Sequence, residues 1–125
     1  DILPRNISGE AMTELELVQG TLDVLVLRTL SWGTRHGYSV ARWIKESSGD
    51  ALNVEDRALY VSLHRLEARG FVESDWGVSE NNRKARYYRL TPAGRRELRA
   101  GTDRLTRYVD AVFRVLSAVP EGVTA

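Results

Sequence analysis

The segment from Ala58 to Gly94 constrains this chain more than any other, because it joins two helical stretches through a hairpin with almost no spare residues. ALYVSLHRLEARG (Ala58 to Gly70) places Leu59, Leu63 and Leu66 at i, i+4 and i+7, the spacing of a single buried stripe on a helix. FVESDWGVSENNRKARYYRL (Phe71 to Leu90) is β-prone at both ends, Phe71 to Trp76 and Arg86 to Leu90, and polar in the middle from Gly77 to Lys84. TPAGRREL (Thr91 to Leu98) then opens another helix, with Thr91 as cap and Pro92 at the first position, where a missing N–H costs nothing.

The first of these helices is expected from about Glu55 to Arg69. Asn53 is its expected N-cap, with Asp56 three residues on, and Gly70 supplies the left-handed stop. At 100° per residue the side opposite the leucines carries Arg57, Val61, His64 and Ala68, flanked by Tyr60 and Arg65. A polar, aromatic and small outer face suits the reading of base edges in a groove. The hairpin tip, with Asn81, Asn82, Arg83 and Lys84, has the chemistry to meet a phosphate backbone or a narrow minor groove. Helix, basic hairpin and helix in that order predict a mainly α chain with a small β-hairpin (α+β), a winged helix-turn-helix on DNA.

The rest of the chain supplies the frame. Residues 1–13 lack periodicity and read as a loose arm, and 120–125 as a tail. Glu14 to Leu30 reads as a helix that is apolar nearly all round, as in a core or at a subunit interface, and is ended by Gly33. Ser39 to Glu46 reads as a shorter helix with Val40, Ala41 and Ile44 inward. The last helix can run to about Val119, stopped by Pro120 and Gly122, a length of roughly 40 Å. Its residues Leu98, Leu105, Val109, Val112, Phe113 and Leu116 fall near one stripe that projects past its own domain, as expected for a contact with a partner chain. The resulting division is a winged helix-turn-helix over 14–90 and a dimerisation helix over 91–119.

Charge agrees with this layout. The net charge is only +1, but Trp76 to Arg99 holds seven basic residues against Glu80 and Glu97, a local excess that suits a confined phosphate-binding surface. At 42% hydrophobic and 28% charged, the 125 residues have enough apolar material for one globular core. Cysteine is absent, which excludes thiolate metal sites and cysteine nucleophiles and fits a reducing compartment. The best apolar run, Leu22 to Leu30, is interrupted by Asp23 and Arg28 and falls short of a membrane span. Ile2 and Leu3 are followed at once by Pro4 and Arg5, unlike a signal peptide, so a cytoplasmic location is expected.

GTLDVLVLRTL (Gly20 to Leu30), HGYSVARWI (His36 to Ile44), LYVSLHRLEARGFVESDW (Leu59 to Trp76) and RYYRLTPAGRREL (Arg86 to Leu98) together resemble the PadR family of bacterial transcriptional regulators. One departure is Val61, where the family commonly has proline after the helix tyrosine. The resemblance implies a homodimeric repressor that binds double-stranded DNA at an inverted-repeat operator and lets go on meeting a small hydrophobic or aromatic effector. Carried onto this chain, it implies recognition by Arg57, Tyr60, Val61, His64 and Arg65 in the major groove, supported by Tyr38. It implies wing contacts by Asn82, Arg83, Lys84 and Arg86, and dimerisation through Leu17, Leu22 and Leu25 at one end and the Leu98 to Leu116 stripe at the other. A single C-terminal helix is that of the short branch of the family.

Other chemistry finds little support. His36 and His64 are 28 residues apart without surrounding C/H spacing, so no metal site is expected, and His36 is placed in the turn before the second helix. There is no phosphate-cradling glycine loop and no G-x-S-x-G elbow, so neither a cofactor nor catalysis is expected. Trp32, Trp43 and Trp76 are read as anchors of local packing rather than as a ligand site. The alternative function is a winged-helix interaction module whose basic hairpin binds an acidic protein.

Overall fold

The computed structural model describes residues 20–124. Leu17, the start of the first helix at Glu14 and the arm over 1–13 lie outside the described residues. Within them four helices surround a three-stranded antiparallel sheet: α1 (Thr21–Leu30), β1 (Arg35–His36), α2 (Gly37–Ser47), α3 (Asp56–Ala68), β2 (Val72–Val78), β3 (Lys84–Leu90) and α4 (Pro92–Ser117).

The leucine stripe of α3 is the centre of the core. Leu59, Leu63 and Leu66 are fully enclosed by Val26, Leu27 and Leu30 of α1, Val40 and Ile44 of α2, and Val72 and Tyr88 of the sheet. Burying a leucine side chain contributes about 1.5–3 kcal/mol, so this one stripe accounts for much of what holds α3 in place. Leu22, Leu25 and Leu98 also lean on this core, half-buried within their own chain.

The start of α3 departs from expectation. Glu55, in extended conformation and without a side-chain cap, is the N-cap, and Asn53 is not. The intervening Val54 is buried, which holds the chain extended until the helix can begin at Asp56. The other end agrees: Gly70 has φ 80°, and Phe71 N–H returns to the Leu66 carbonyl at 2.9 Å.

The sheet is larger than a hairpin. β2 and β3 pair from Val72↔Leu90 to Val78↔Lys84, two pairs beyond the expected strands, and β1 adds Arg35↔Tyr88 and His36↔Tyr87 on the other side of β3. His36 then caps α2, its Nδ1 accepting from Ser39 N–H at 3.3 Å.

α4 begins as expected, with Thr91 Oγ1 accepting from Gly94 N–H at 3.0 Å. The same hydroxyl donates to the Gly70 carbonyl at 2.7 Å, and Thr91 N–H donates to the Phe71 carbonyl at 3.1 Å. Gly94 lies so close to that Phe71 carbonyl oxygen that any side chain would overlap it. The helix therefore starts against the turn that ends α3, backbone to backbone. Gly101 is buried and Leu105 half-buried, but from Thr106 to Ser117 every residue is exposed.

Candidate nucleic-acid interface

The face of α3 opposite the leucines carries Arg57, Tyr60, Val61 and His64, all exposed, with Val61 at 51%. A helix face that leaves a valine and a tyrosine in water is less expected of a plain solvent surface than of a contact surface. Tyr60 is not free, however. A Cβ on Gly37 would fall 2.5 Å from the Tyr60 hydroxyl, so the phenol lies on the bare backbone at the start of α2. A side chain at 37 would push the Tyr60 phenol aside, so glycine there leaves room for this contact between α2 and α3. Tyr38, 65% exposed, stands beside this joint with His36 stacked behind it at 6.4 Å between ring centroids.

The wing is formed by β2, β3 and the turn between them. Residues paired across strands share a sheet face, as do residues two apart. By the register Arg35, Tyr88, Ser74, Arg86, Trp76 and Lys84 therefore lie on one face, the one turned toward α3. Trp76 is 59% exposed there, with Lys84 Nζ 4.8 Å and Arg86 Cζ 5.4 Å from its ring. The tip has no apolar support but closes on itself. Ser79 N–H donates to the Arg83 carbonyl at 2.8 Å, Asn82 N–H to the Ser79 carbonyl at 2.9 Å, and Asn82 takes the left-handed conformation at φ 58°.

Between α2, α3 and this sheet face opens a cleft of about 970 Å³, whose lining includes Arg35, Tyr38, Tyr60, His64, Trp76 and Arg83. The structure thus brings Tyr38, Tyr60, His64, Arg83, Lys84 and Arg86 around one concavity, with Arg57, Val61 and Asn82 exposed on the elements that form it.

Two arginines of the expected DNA-binding set are engaged within the chain. Arg65 is turned back onto α1, where Nε and Nη2 grip Asp23 Oδ2 and Oδ1 at 2.9 and 2.6 Å, and Ser62 Oγ donates to the same carboxylate at 2.6 Å. Position 65 is one turn from the buried Ser62 and shares its α1-facing side, so the ion pair follows from helix geometry. The hydrogen bonds to Asp23 hold the Arg65 guanidinium above its ordinary pKa despite partial burial. Arg86 braces the wing against α3, its Nε donating to Ser74 Oγ at 2.8 Å while Nη2 sits 3.5 Å from Glu67.

The tryptophans divide. Trp43 packs against the core, as expected, but Trp76 and Trp32 are exposed, each beside a cation. Sequence reasoning missed Trp76 and Arg35 as cleft residues, and the one available signal was the alternation that puts Trp76 on the face of Arg86. Among the described residues no group of three or more His, Asp or Glu side chains is placed to hold a metal ion, and no helix is long and apolar enough to cross a membrane.

Comparison with known proteins points the same way. The pattern of the transcriptional regulator PadR-like family matches residues 26–100. A 37.1 kDa protein of a Streptomyces fradiae transposon is 37% identical over 102 residues, 82% of this chain and 27% of that protein, so the chain spans about a quarter of its length. A PadR family transcriptional regulator from Eggerthella lenta is 30% identical and superposes with a TM-score of 0.70 over 84% of this chain and 89% of its own. Bacillus subtilis PadR, solved in complex with operator DNA, is 25% identical with a TM-score of 0.58 and is matched over 83% of this chain and 52% of that one.

Proposed function

The chain belongs to the PadR-like family of transcriptional regulators, which are transcription factors and not enzymes, and from that premise we propose that it is a sequence-specific DNA-binding repressor. The observation that carries the reading is the concavity that gathers Tyr60 and His64 from the outward face of α3 with the basic wing, while the partner of a similar chain, Bacillus subtilis PadR, is operator DNA. In this reading Arg57, Tyr60, Val61 and His64 enter the major groove, Tyr38 supports them, and Asn82, Arg83 and Lys84 meet the flanking backbone. Arg65 and Arg86 position α3 and the wing from within.

Residues 14–90 form the DNA-binding unit and 91–119 the dimerisation helix. Two copies joined along the stripe of Leu105, Val109, Val112, Phe113 and Leu116 present two recognition helices about 34–36 Å apart to an inverted repeat. Release by a small hydrophobic or aromatic molecule, in the cytoplasm, completes the reading and follows from the family resemblance.

A gel shift of the chain on its own upstream DNA at several salt concentrations tests it. A specific shift is expected, its salt slope shallower by about 1.8 when Arg83→Ala and Lys84→Ala are combined, since each neutralised phosphate contributes roughly 0.9. No specific shift at moderate salt would sink the proposal. Capture of an acidic protein in its place would favour an interaction module.

A further inference from the structure

The charges of the cleft can be sorted by whether the protein already satisfies them. Arg42 pairs with Glu46, and Arg86 with Glu67. Among the charged residues lining the cleft this leaves Arg35, Arg83 and Lys84 without an ion-pair partner, against Glu80 alone. Arg35 is the unusual one. It sits on the short edge strand β1, half-buried, and its Nε is buried with no hydrogen-bond partner among the described residues. A buried donor on a permanent cation is costly unless something supplies an acceptor. On the opposite edge strand, and on the same sheet face, Trp76 leaves its indole in water between two cations. An apolar plane flanked by positive charge matches a sugar–phosphate chain, which alternates an apolar ring with an anion.

We propose that Arg35 and Trp76 hold one backbone strand of duplex DNA across the cleft, Arg35 taking a phosphate and the Trp76 indole packing on a neighbouring deoxyribose. The inference rests on the DNA-binding reading above and adds two contacts at the floor of the cleft, apart from the recognition face and the tip. Both contacts are with backbone, so they set register and grip without selecting sequence.

The test uses the full chain on its operator and on a scrambled duplex. Arg35→Gln is expected to weaken both complexes alike and make the salt slope shallower by about 0.9. Arg35→Lys, which keeps the charge, restores the slope. A merely structural role for Arg35 would lower the Tm in both variants and move the slope in neither, and that result overturns the assignment. Trp76→Ala is expected to weaken both duplexes by the same factor, since a sugar contact does not select sequence. With Trp32→Phe and Trp43→Phe introduced to leave Trp76 as sole fluorophore, the operator quenches its emission. Unchanged affinity in Trp76→Ala, or emission indifferent to DNA, overturns the proposal. A wild-type chain that shifts no duplex at all removes the underlying reading instead, and is told apart from these results by the wild-type lane alone.

Discussion

At the scale of single residues, the side chains whose intramolecular contacts were hardest to foresee are those whose partners come from distant parts of the chain. Leu59, Leu63 and Leu66 were legible because periodicity alone fixes which side of a helix faces inward. Arg65 and Arg86 were not, since nothing local announces that Asp23 or Glu67 will stand in reach. His36 could be placed before α2 but not identified as its cap. Tyr88 gives a residue-level prediction. Burial, the main cause, lifts its phenol above the ordinary value of 10.0, so the folded chain holds that proton more tightly than the unfolded chain does. This contribution is complete below about pH 10 and is lost as pH rises through 10 toward the folded value. Tyr88→Phe should therefore flatten the alkaline fall of stability, measured as urea midpoints from pH 8 to 11. An alkaline limb identical to wild type would refute it.

At the scale of elements, α1 and α3 are joined by more than apolar packing. Asp23 accepts from both Arg65 and the buried Ser62, so the helix carrying the proposed base contacts is pinned to its neighbour by one carboxylate. Asp23→Ala leaves the Ser62 hydroxyl without its acceptor and should cost about 2 kcal/mol, a figure discounted because Arg65 is nearly half exposed. The urea midpoint reads the loss, and a midpoint equal to wild type would show the clamp to be slack. α2, β2, β3 and α4 were legible to within a few residues from capping and turn signals. β1 was not, because two residues hold no alternation, and its pairing exists only once β3 is in place.

At the scale of the molecule, the feature left over is the outer half of α4. Twelve residues, roughly 18 Å of helix, stand clear of the body, with Phe113 62% and Leu116 74% exposed among the valines of the same stripe. In the dimeric reading Phe113→Glu should convert a dimer to a monomer in light scattering and weaken binding to an inverted repeat far more than to a half-site. A wild-type chain that is monomeric at micromolar concentration would contradict the role given to α4. How such an assembly keeps its two reading heads in step depends on the junction at Gly70, Phe71, Thr91 and Gly94, where main chain rests on main chain. A joint filled by long side chains could yield by changing rotamers, whereas the one side-chain bond across this one is the short Thr91 hydroxyl on the Gly70 carbonyl. In the dimeric reading this joint would hold the angle between the α4 stripe and the recognition helix. A change in the distance between half-sites would have to come from sliding along the seam, one helical turn at a time, rather than from bending where the arm meets the head.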